Sequence, residues 1–245
     1  MAYQNTFKRY ELKYLLTETQ KRIIMDAMQA YMALDKYGRT VIRNLYFDTN
    51  SFRLIRHSME KPVYKEKLRI RSYGVIPEDG QCFVELKKKY DHIVYKRRLT
   101  MPQNDALRWL AGDHSLTPGC QIGQEIEYFR DYYGSLHPTV FLSYARQAWY
   151  SFDGSDFRVT FDNEILCRQD GLSLCNEPAG SPLLPEDMTL MEIKTSGGIP
   201  LWMTHLLTQN YIYKTSYSKY GTAYEGLIFP QLQGVNRNET VSRNF

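Results

Sequence analysis

No run in the 245-residue sequence approaches the eighteen or so consecutive apolar residues of a membrane-spanning helix, so no membrane segment is expected. The start, Met-Ala-Tyr-Gln-Asn-Thr-Phe-Lys-Arg, has no apolar stretch of the kind a secretory leader needs. The four cysteines, Cys82, Cys120, Cys167 and Cys175, form no CxxC pair. That spacing argues against a disulfide framework or a zinc site and for reduced thiols in a cytoplasmic protein. His57, His92, His114, His137 and His205 show no ligand spacing either. Neither GxxxxGK[ST] nor GxGxxG occurs, which leaves P-loop and Rossmann nucleotide sites unsupported. The net charge of +4 is too small to name a partner. Where the cations fall says more.

They fall in alternation. Lys65, Lys67, Arg69 and Arg71 occupy every second position of Tyr64 to Ser72, with Leu68 and Ile70 in the opposite phase. In a strand all four would line one face. Twenty tyrosines and eleven phenylalanines also suit strands. Further strands are expected at Thr6 to Leu16, Val41 to Asp48, Cys82 to Lys89, Ile93 to Thr100, Thr139 to Ser151, Asp156 to Asn163 and Met188 to Thr195. Thr17 and Gln20 form a capping-box pattern that opens a helix running to about Asp35, ended by Tyr37-Gly38. A short helix or turn is expected over Asn50 to Met59, and helices over Pro102 to Gly112, Gln121 to Leu136 and Ile199 to Tyr213. Leu166 to Pro185 reads as a loop, and the chain after Pro230 as a polar tail. With eight strands, mostly hairpin-connected, and no βαβ alternation, residues 1–230 form one α+β domain.

Three strands repeat one triplet: Glu11-Leu12-Lys13, Glu85-Leu86-Lys87 and Glu192-Ile193-Lys194. Each sets a carboxylate and an ammonium on one face with an apolar residue behind. Lys96 with Arg98, and separately Arg146 and Arg158, share the same phase in their strands. The amphipathic helices need an apolar surface to cover. An eight-stranded antiparallel β-barrel with a cationic lumen and helices packed outside meets both demands. Cations crowded into such a channel repel one another unless a multivalent anion compensates them. Arginine forks and lysine charges suit phosphate oxygens, and a few carboxylates could hold Mg2+ or Mn2+. Trp109, Trp149 and Trp202 read as core anchors, Lys65 as solvated at the strand mouth, and Arg97 as facing away from the lumen.

In order along the chain, Arg9-Tyr-Glu-Leu-Lys13-Tyr, Lys67-Leu-Arg69-Ile-Arg71, Phe83-Val-Glu-Leu-Lys87, Tyr144-Ala-Arg146, Arg158-Val-Thr-Phe-Asp162, Met191-Glu-Ile-Lys194 and Ser218-Lys219-Tyr resemble the VTC domain. That is the polyphosphate polymerase domain of the vacuolar transporter chaperone complex, within the triphosphate tunnel metalloenzymes. The resemblance implies an eight-stranded tunnel and transfer of the ATP γ-phosphate to a growing polyphosphate chain, with Mn2+ or Mg2+. Carried over by motif, it implies catalytic roles for Arg69, Arg71, Lys87, Arg146, Arg158 and Lys219. Arg9, Lys13, Lys67, Lys96, Arg98, Tyr144, Lys194 and Ser218 would bind substrate. Ser218 and Lys219 would close one end. Glu192 matches the metal-binding glutamate, with Glu11 and Glu85 as further candidates. Ser216 stands where the family has a lysine, with Lys214 nearby.

Three activities compete. A polymerase uses an anionic chain end as nucleophile and needs cations more than bases. A triphosphatase must orient water, usually through a carboxylate. A non-catalytic polyphosphate binder needs only the charge. Single-stranded RNA would require aromatic platforms among the cations of the basic strand, and there are none, so no nucleic acid is expected. The partners are ATP and inorganic polyphosphate.

Overall fold

The alternation of charged and apolar side chains produces an antiparallel sheet with helices packed on its outer face and others, Arg53–Met59 and Lys219–Ala223, at one end of its inner face. The computed structural model describes residues 10–91 and 93–234. Strand β1 (Tyr10–Thr17) enters α1 (Glu18–Met28) through the expected capping box: the Thr17 hydroxyl accepts from the Gln20 amide at 3.3 Å, and the Gln20 side chain accepts from the Thr17 amide at 3.1 Å. The helix is shorter than the expected span to Asp35. It stops at Met28, and β2 (Met32–Asp48) follows at once. Gly38, at φ +58°, lies where the pairing register shifts between Leu34 and Arg39. A glycine in the left-handed region serves a β-bulge as readily as a helix end, so the Tyr37-Gly38 signal fits both.

Helix α2 (Arg53–Met59) leads into a meander of β3 (Tyr64–Tyr73), β4 (Gln81–Tyr90) and β5 (Ile93–Pro102). Next come α3 (Gln103–Ala111), α4 (Gln121–Tyr133), β6 (His137–Ser151) and β7 (Arg158–Arg168). Strand β7 continues past the expected end at Asn163, because Leu166 and Cys167 pair both with β6 and with the two-residue β8 (Ser181–Pro182). The remaining elements are β9 (Met188–Thr195), α5 (Leu201–Gln209), β10 (Lys214–Thr215), α6 (Lys219–Ala223) and, after a wide π turn over Tyr224–Ile228, α7 (Phe229–Leu232).

The sheet order is β10-β1-β9-β7-β6-β2-β3-β4-β5, with β8 beside β7. The eight long strands anticipated are therefore present and antiparallel, but they do not close into a barrel. Among the described residues strand β5 pairs only with β4, and the free edge of β1 is taken at Lys13 and Tyr14 by β10 rather than by β5.

Two apolar layers cover the outer face. One packs Leu45, Phe47, Leu68, Ile70, Leu86 and Phe141 against Ala106 and Trp109 of α3 and Ile126 and Phe129 of α4. The other packs Leu16, Val159, Phe161 and Ile193 against Ile24 of α1 and Met203 of α5, with Trp149 in the layer and Trp202 against it. Each such buried side chain contributes about 1.5–3 kcal/mol. On the inner face, Tyr46, Val140 and Leu142 meet Tyr220 and Tyr224 of the C-terminal segment and Phe52 and Ile55 by α2. This apolar plug fills one end. Asp48 anchors it, accepting from the amides of Leu54 and Ile55 and from the Tyr220 hydroxyl at 3.0 Å. Among the described residues no helix is long and apolar enough to cross a membrane. None of the four cysteines is in a disulfide.

Candidate anion-binding site

The inner face carries the period-two charges. Lys87 on β4 donates to Glu11 on β1 at 2.9 Å. Strands β9, β7, β6, β2 and β3 lie between them in the sheet. Laid flat, six steps of about 4.8 Å would hold those strands roughly 29 Å apart. The sheet therefore curls until its edges approach, and its inner face becomes a groove.

Glu85 sits at the centre of the β3–β5 wall. One of its oxygens accepts from Arg69 at 2.9 and 2.7 Å, and the other pairs with Lys96 at 2.7 Å and with Arg98, while Arg71 lies 3.8 Å away. Arg69 also donates to the Tyr46 hydroxyl at 2.8 Å. Arg71 donates to Asn44 Oδ1 at 2.8 Å and to the Tyr144 hydroxyl at 3.1 Å. Leu68 and Ile70, in the opposite phase, are fully buried in the outer layer.

Asp162 and Glu192 organise the other wall. Asp162 receives Arg146 at 2.5 and 2.6 Å and Lys219 at 2.5 Å. Glu192 receives Arg146 at 3.1 Å and Lys194 at 3.1 Å, with Lys13 at 3.6 Å and Lys219 at 3.5 Å. Lys13 also donates to the Tyr217 carbonyl at 2.7 Å. The Tyr144 ring lies under Arg146 at 5.2 Å and Lys219 at 4.4 Å. Ser218 caps α6 and accepts from Lys67 at 2.9 Å, joining the plug to the basic strand. Arg158 shares the β7 phase of Asp162, opposite Lys194, and stacks over Tyr150 at 4.4 Å. Lys65 is half-buried rather than solvated, donating to the Ser58 carbonyl at 3.2 Å. Arg97 points the other way, to Glu125 of α4 at 2.8 Å. Arg9 lies outside the described residues.

Among the described residues the groove thus sets Lys13, Lys65, Lys67, Arg69, Arg71, Lys87, Lys89, Lys96, Arg98, Arg146, Arg158, Lys194 and Lys219 against Glu11, Glu85, Asp162 and Glu192, a large excess of basic over acidic groups. Its electrostatics follow. Burial, then the charges of Lys13, Lys87, Lys65 and Arg69, push Lys67 down to about 7. Burial with Arg69, Arg71 and Arg98 does the same to Lys96 against the pull of Glu85, although 39% of that side chain is exposed. Lys67 is the more enclosed of the two. Lys87 draws Glu11 far below the usual carboxylate range. Burial alone would raise Glu192, Glu85 and Asp162, but the surrounding cations hold all three below it. Burial would also raise Tyr144, yet Arg71, Arg146 and Lys219 leave it lowered.

Asn44 and Tyr46 are groove residues that the charge pattern did not single out. They share the phase of Ile42 and Asp48 on β2, so their face was legible and their hydrogen bonds were not. Asp162, in phase with Arg158 on β7, anchors Arg146 and Lys219. Away from the groove, His114, Glu127 and Asp131 bring three potential ligand atoms together despite lacking a sequence spacing. The Arg130 guanidinium already sits among them, donating to Glu127 and Asp131.

Among the described residues no three carboxylates of the groove converge tightly enough for an all-protein metal cage. Glu192 and Glu11 are the groove carboxylates that could supply one or two protein oxygens to a cation completed by phosphate, the usual manner for magnesium; here the Glu192 oxygens are paired with Arg146, Lys194, Lys13 and Lys219.

No curated protein matches the chain. Among solved structures, a provisionally assigned adenylate cyclase from Bacillus halodurans superposes with a TM-score of 0.53 at 17% identity, covering 88% of this chain and 96% of its own. A provisionally assigned adenylyl cyclase from Hippeastrum, described as having a dominant triphosphatase activity, gives 0.54 at 16% identity over 89% and 96%. At these identities the likeness is one of fold. The family model of the VTC domain matches residues 8–228, nearly the whole described chain and every strand that lines the groove, and the protein belongs to the VTC domain family.

Proposed function

We propose that the groove works as a triphosphate tunnel and that the protein is a metal-dependent polyphosphate polymerase, passing the γ-phosphate of ATP to a growing polyphosphate chain. One observation carries the choice. Glu11, Glu85, Asp162 and Glu192 are each held ionised by at least one cation, so none has the near-neutral pKa of a good general base. A hydrolase that activates water through a carboxylate would need such a base; one that used Lys67 or Lys96, near 7, would be revealed by orthophosphate among the products. The anionic end of a phosphate chain needs none.

In the transfer, a terminal oxygen of the acceptor chain forms a bond to the γ-phosphorus. The bond to the β–γ bridging oxygen breaks, and ADP leaves with that electron pair. Arg69, Arg71, Arg146 and Arg158 fix the phosphates and meet the charge that spreads over the equatorial oxygens. Lys87, Lys96, Lys194, Lys13 and Arg98 line the remainder of the chain's path, with Arg9 a further candidate. Ser218 and Lys219, at the apolar plug, bound the site at one end and leave the other for the chain. Tyr144 orients Arg71 and offers its hydroxyl to phosphate. A divalent cation, Mn2+ or Mg2+, would be held by Glu192, with Glu11 beside it, and would supply further neutralisation of the phosphates. Glu85 is better described as the counter-charge that aligns Arg69, Arg98 and Lys96.

Incubation of the pure protein with radiolabelled ATP and Mn2+, with products resolved by size, tests the reading. ADP together with chains longer than three phosphates supports it. ADP and orthophosphate alone would make the protein a triphosphatase, and salt-sensitive polyphosphate binding without turnover a binder.

A further inference from the structure

On the face of β2 opposite the groove, Arg43 stands in register with Ser143 of β6 and Ser72 of β3. Its exposure is 0%, and among the described residues none of its three guanidinium nitrogens has a hydrogen-bond partner. The Ser143 hydroxyl across the strand pair is buried and unpartnered as well. Ser72 directs its own hydroxyl to the Gly74 carbonyl at 2.8 Å. The Phe141 ring, 5.4 Å from the Arg43 guanidinium, offers it a face but no acceptor for the in-plane N–H donors.

An arginine does not escape by losing its proton, and a buried cation without a counter-charge is strongly destabilising. The segment 169–180 provides cover and only partial compensation, from Glu177 and from the Cys175 thiol nearby. Leu174 packs in the same apolar layer as Phe141, and its amide is held by Gln103. Arg168, stacked on Phe141 at 3.7 Å, ties the segment down through the carbonyls of Asp170, Gly171 and Ala179, and its own charge adds to that at Arg43. Glu177 is near enough to favour the Arg43 cation but is exposed and makes no ion pair with it.

We propose that Arg43 and Ser143 bind a small inorganic anion of chloride size beneath the segment 169–180, at a site separate from the groove. A spherical anion accepts from several N–H and O–H donors without angular demands and cancels the charge. Water would satisfy the donors but leave the charge. Arg43 has no exposed surface, so a bulkier oxyanion would have to displace more of the covering segment. The anion would fasten β2, β6 and the covering segment together, directly behind the Asn44 that aligns Arg71.

The test is thermal unfolding of the full chain at matched ionic strength in sodium chloride and sodium gluconate, joined to anomalous diffraction from bromide-soaked crystals. The expected result is a Tm several degrees higher in chloride, reduced in Arg43→Met to whatever the groove alone contributes and unchanged in Glu177→Gln, with a bromide peak between Arg43 and Ser143. If Arg43→Met does not fold, Ser143→Ala should shrink the chloride effect in its place. Equal Tm values in the two salts, an undiminished chloride effect in the Arg43 or Ser143 variant, or no bromide at Arg43 would overturn the proposal. So would a chloride effect that appears or grows in Glu177→Gln, which would make the covering segment's own carboxylate the counter-charge.

Discussion

Lys87 and Glu11 meet at 2.9 Å from strands that stand far apart in the sheet order, and this contact spans the groove where, among the described residues, no backbone pairing closes it. It is a weak clasp, since 35% of Lys87 and 22% of Glu11 are exposed. Replacing Glu11 with Gln should cost only about 0.5 kcal/mol in urea unfolding. It also frees Lys87 and removes one of four negative charges from the groove. Tripolyphosphate binding without metal should therefore tighten by roughly 3- to 10-fold in calorimetry. Unchanged or weaker binding would mean that Glu11 serves the ligand directly, through metal.

The lowered Lys67 makes anion binding a proton-linked event. The free groove holds Lys67 near 7, and a bound phosphate returns it toward the ordinary lysine value, so the complex carries more protons than the free protein above pH 7. Affinity should rise as pH falls from 9 toward 7 and level off below about 6, with a limiting slope of about tenfold per pH unit for each such lysine. Lys67→Ala should flatten the profile toward the contribution of Lys96 and the ligand itself. An identical pH profile in the variant would remove Lys67 from the site.

The cationic face, the meander β3–β5, the capping box at Thr17 and the phase of Arg69, Arg71 and Arg97 were all legible in the sequence, because a period of two is a local property of the chain. Closure was not. Whether β5 reaches β1 depends on what occupies β1's edge, and the two residues Lys214 and Thr215 that do so carry no strand signal. The extent of α1 was misread for a related reason, as Gly38 fits a bulge or a helix end and only pairing to β6 decides. In the site, residue types announced the cations but not their partners. Nothing local tells Asp162 to choose Arg146 and Lys219 over its near neighbour Arg158.

That choice is consequential for stability. Asp162 is fully buried and compensates two cations that are nearly so. Asp162→Asn keeps the shape and leaves Arg146 and Lys219 without their main counter-charge, which should cost about 3–5 kcal/mol and lower Tm by roughly 6–20 °C. Because the lost charge can be replaced by ligand, saturating tripolyphosphate should recover more stability in the variant than in the wild type. The folded-state pKa of Asp162 is depressed, so its contribution is present above the ordinary aspartate range and lost as pH falls through the lower folded value. A Tm within a degree or two of wild type would show that Glu192 alone neutralises this wall.

Glu192 is the better-placed metal candidate. Glu192→Gln should raise the Mn2+ concentration needed for half-maximal turnover by at least about 10-fold, since a hard cation loses its charged oxygen ligand. Metal-free tripolyphosphate binding should be preserved or strengthened. Undiminished activity at saturating but not elevated Mn2+ would move the role to Glu11.

The sharpest contrast is between Arg71 and Arg97, which differ in phase on neighbouring parts of one meander. Arg71 is 6% exposed and aimed into the groove by Asn44 and Tyr144, whereas Arg97 pairs with Glu125 on the helical side. Arg71→Ala removes at least one charge-assisted hydrogen bond to phosphate of about 1.5 kcal/mol, enough to slow turnover ~10-fold or more. Arg97→Ala should change turnover less than 2-fold and lose at most about 1 kcal/mol of stability. If the groove grows a chain, Arg71→Ala should also shorten the products, because a cation that holds the acceptor as well as the triphosphate sets how long the chain stays bound. Equal effects of the two alanines, or full-length products from Arg71→Ala at undiminished rate, would place the chemistry on the other side of the sheet.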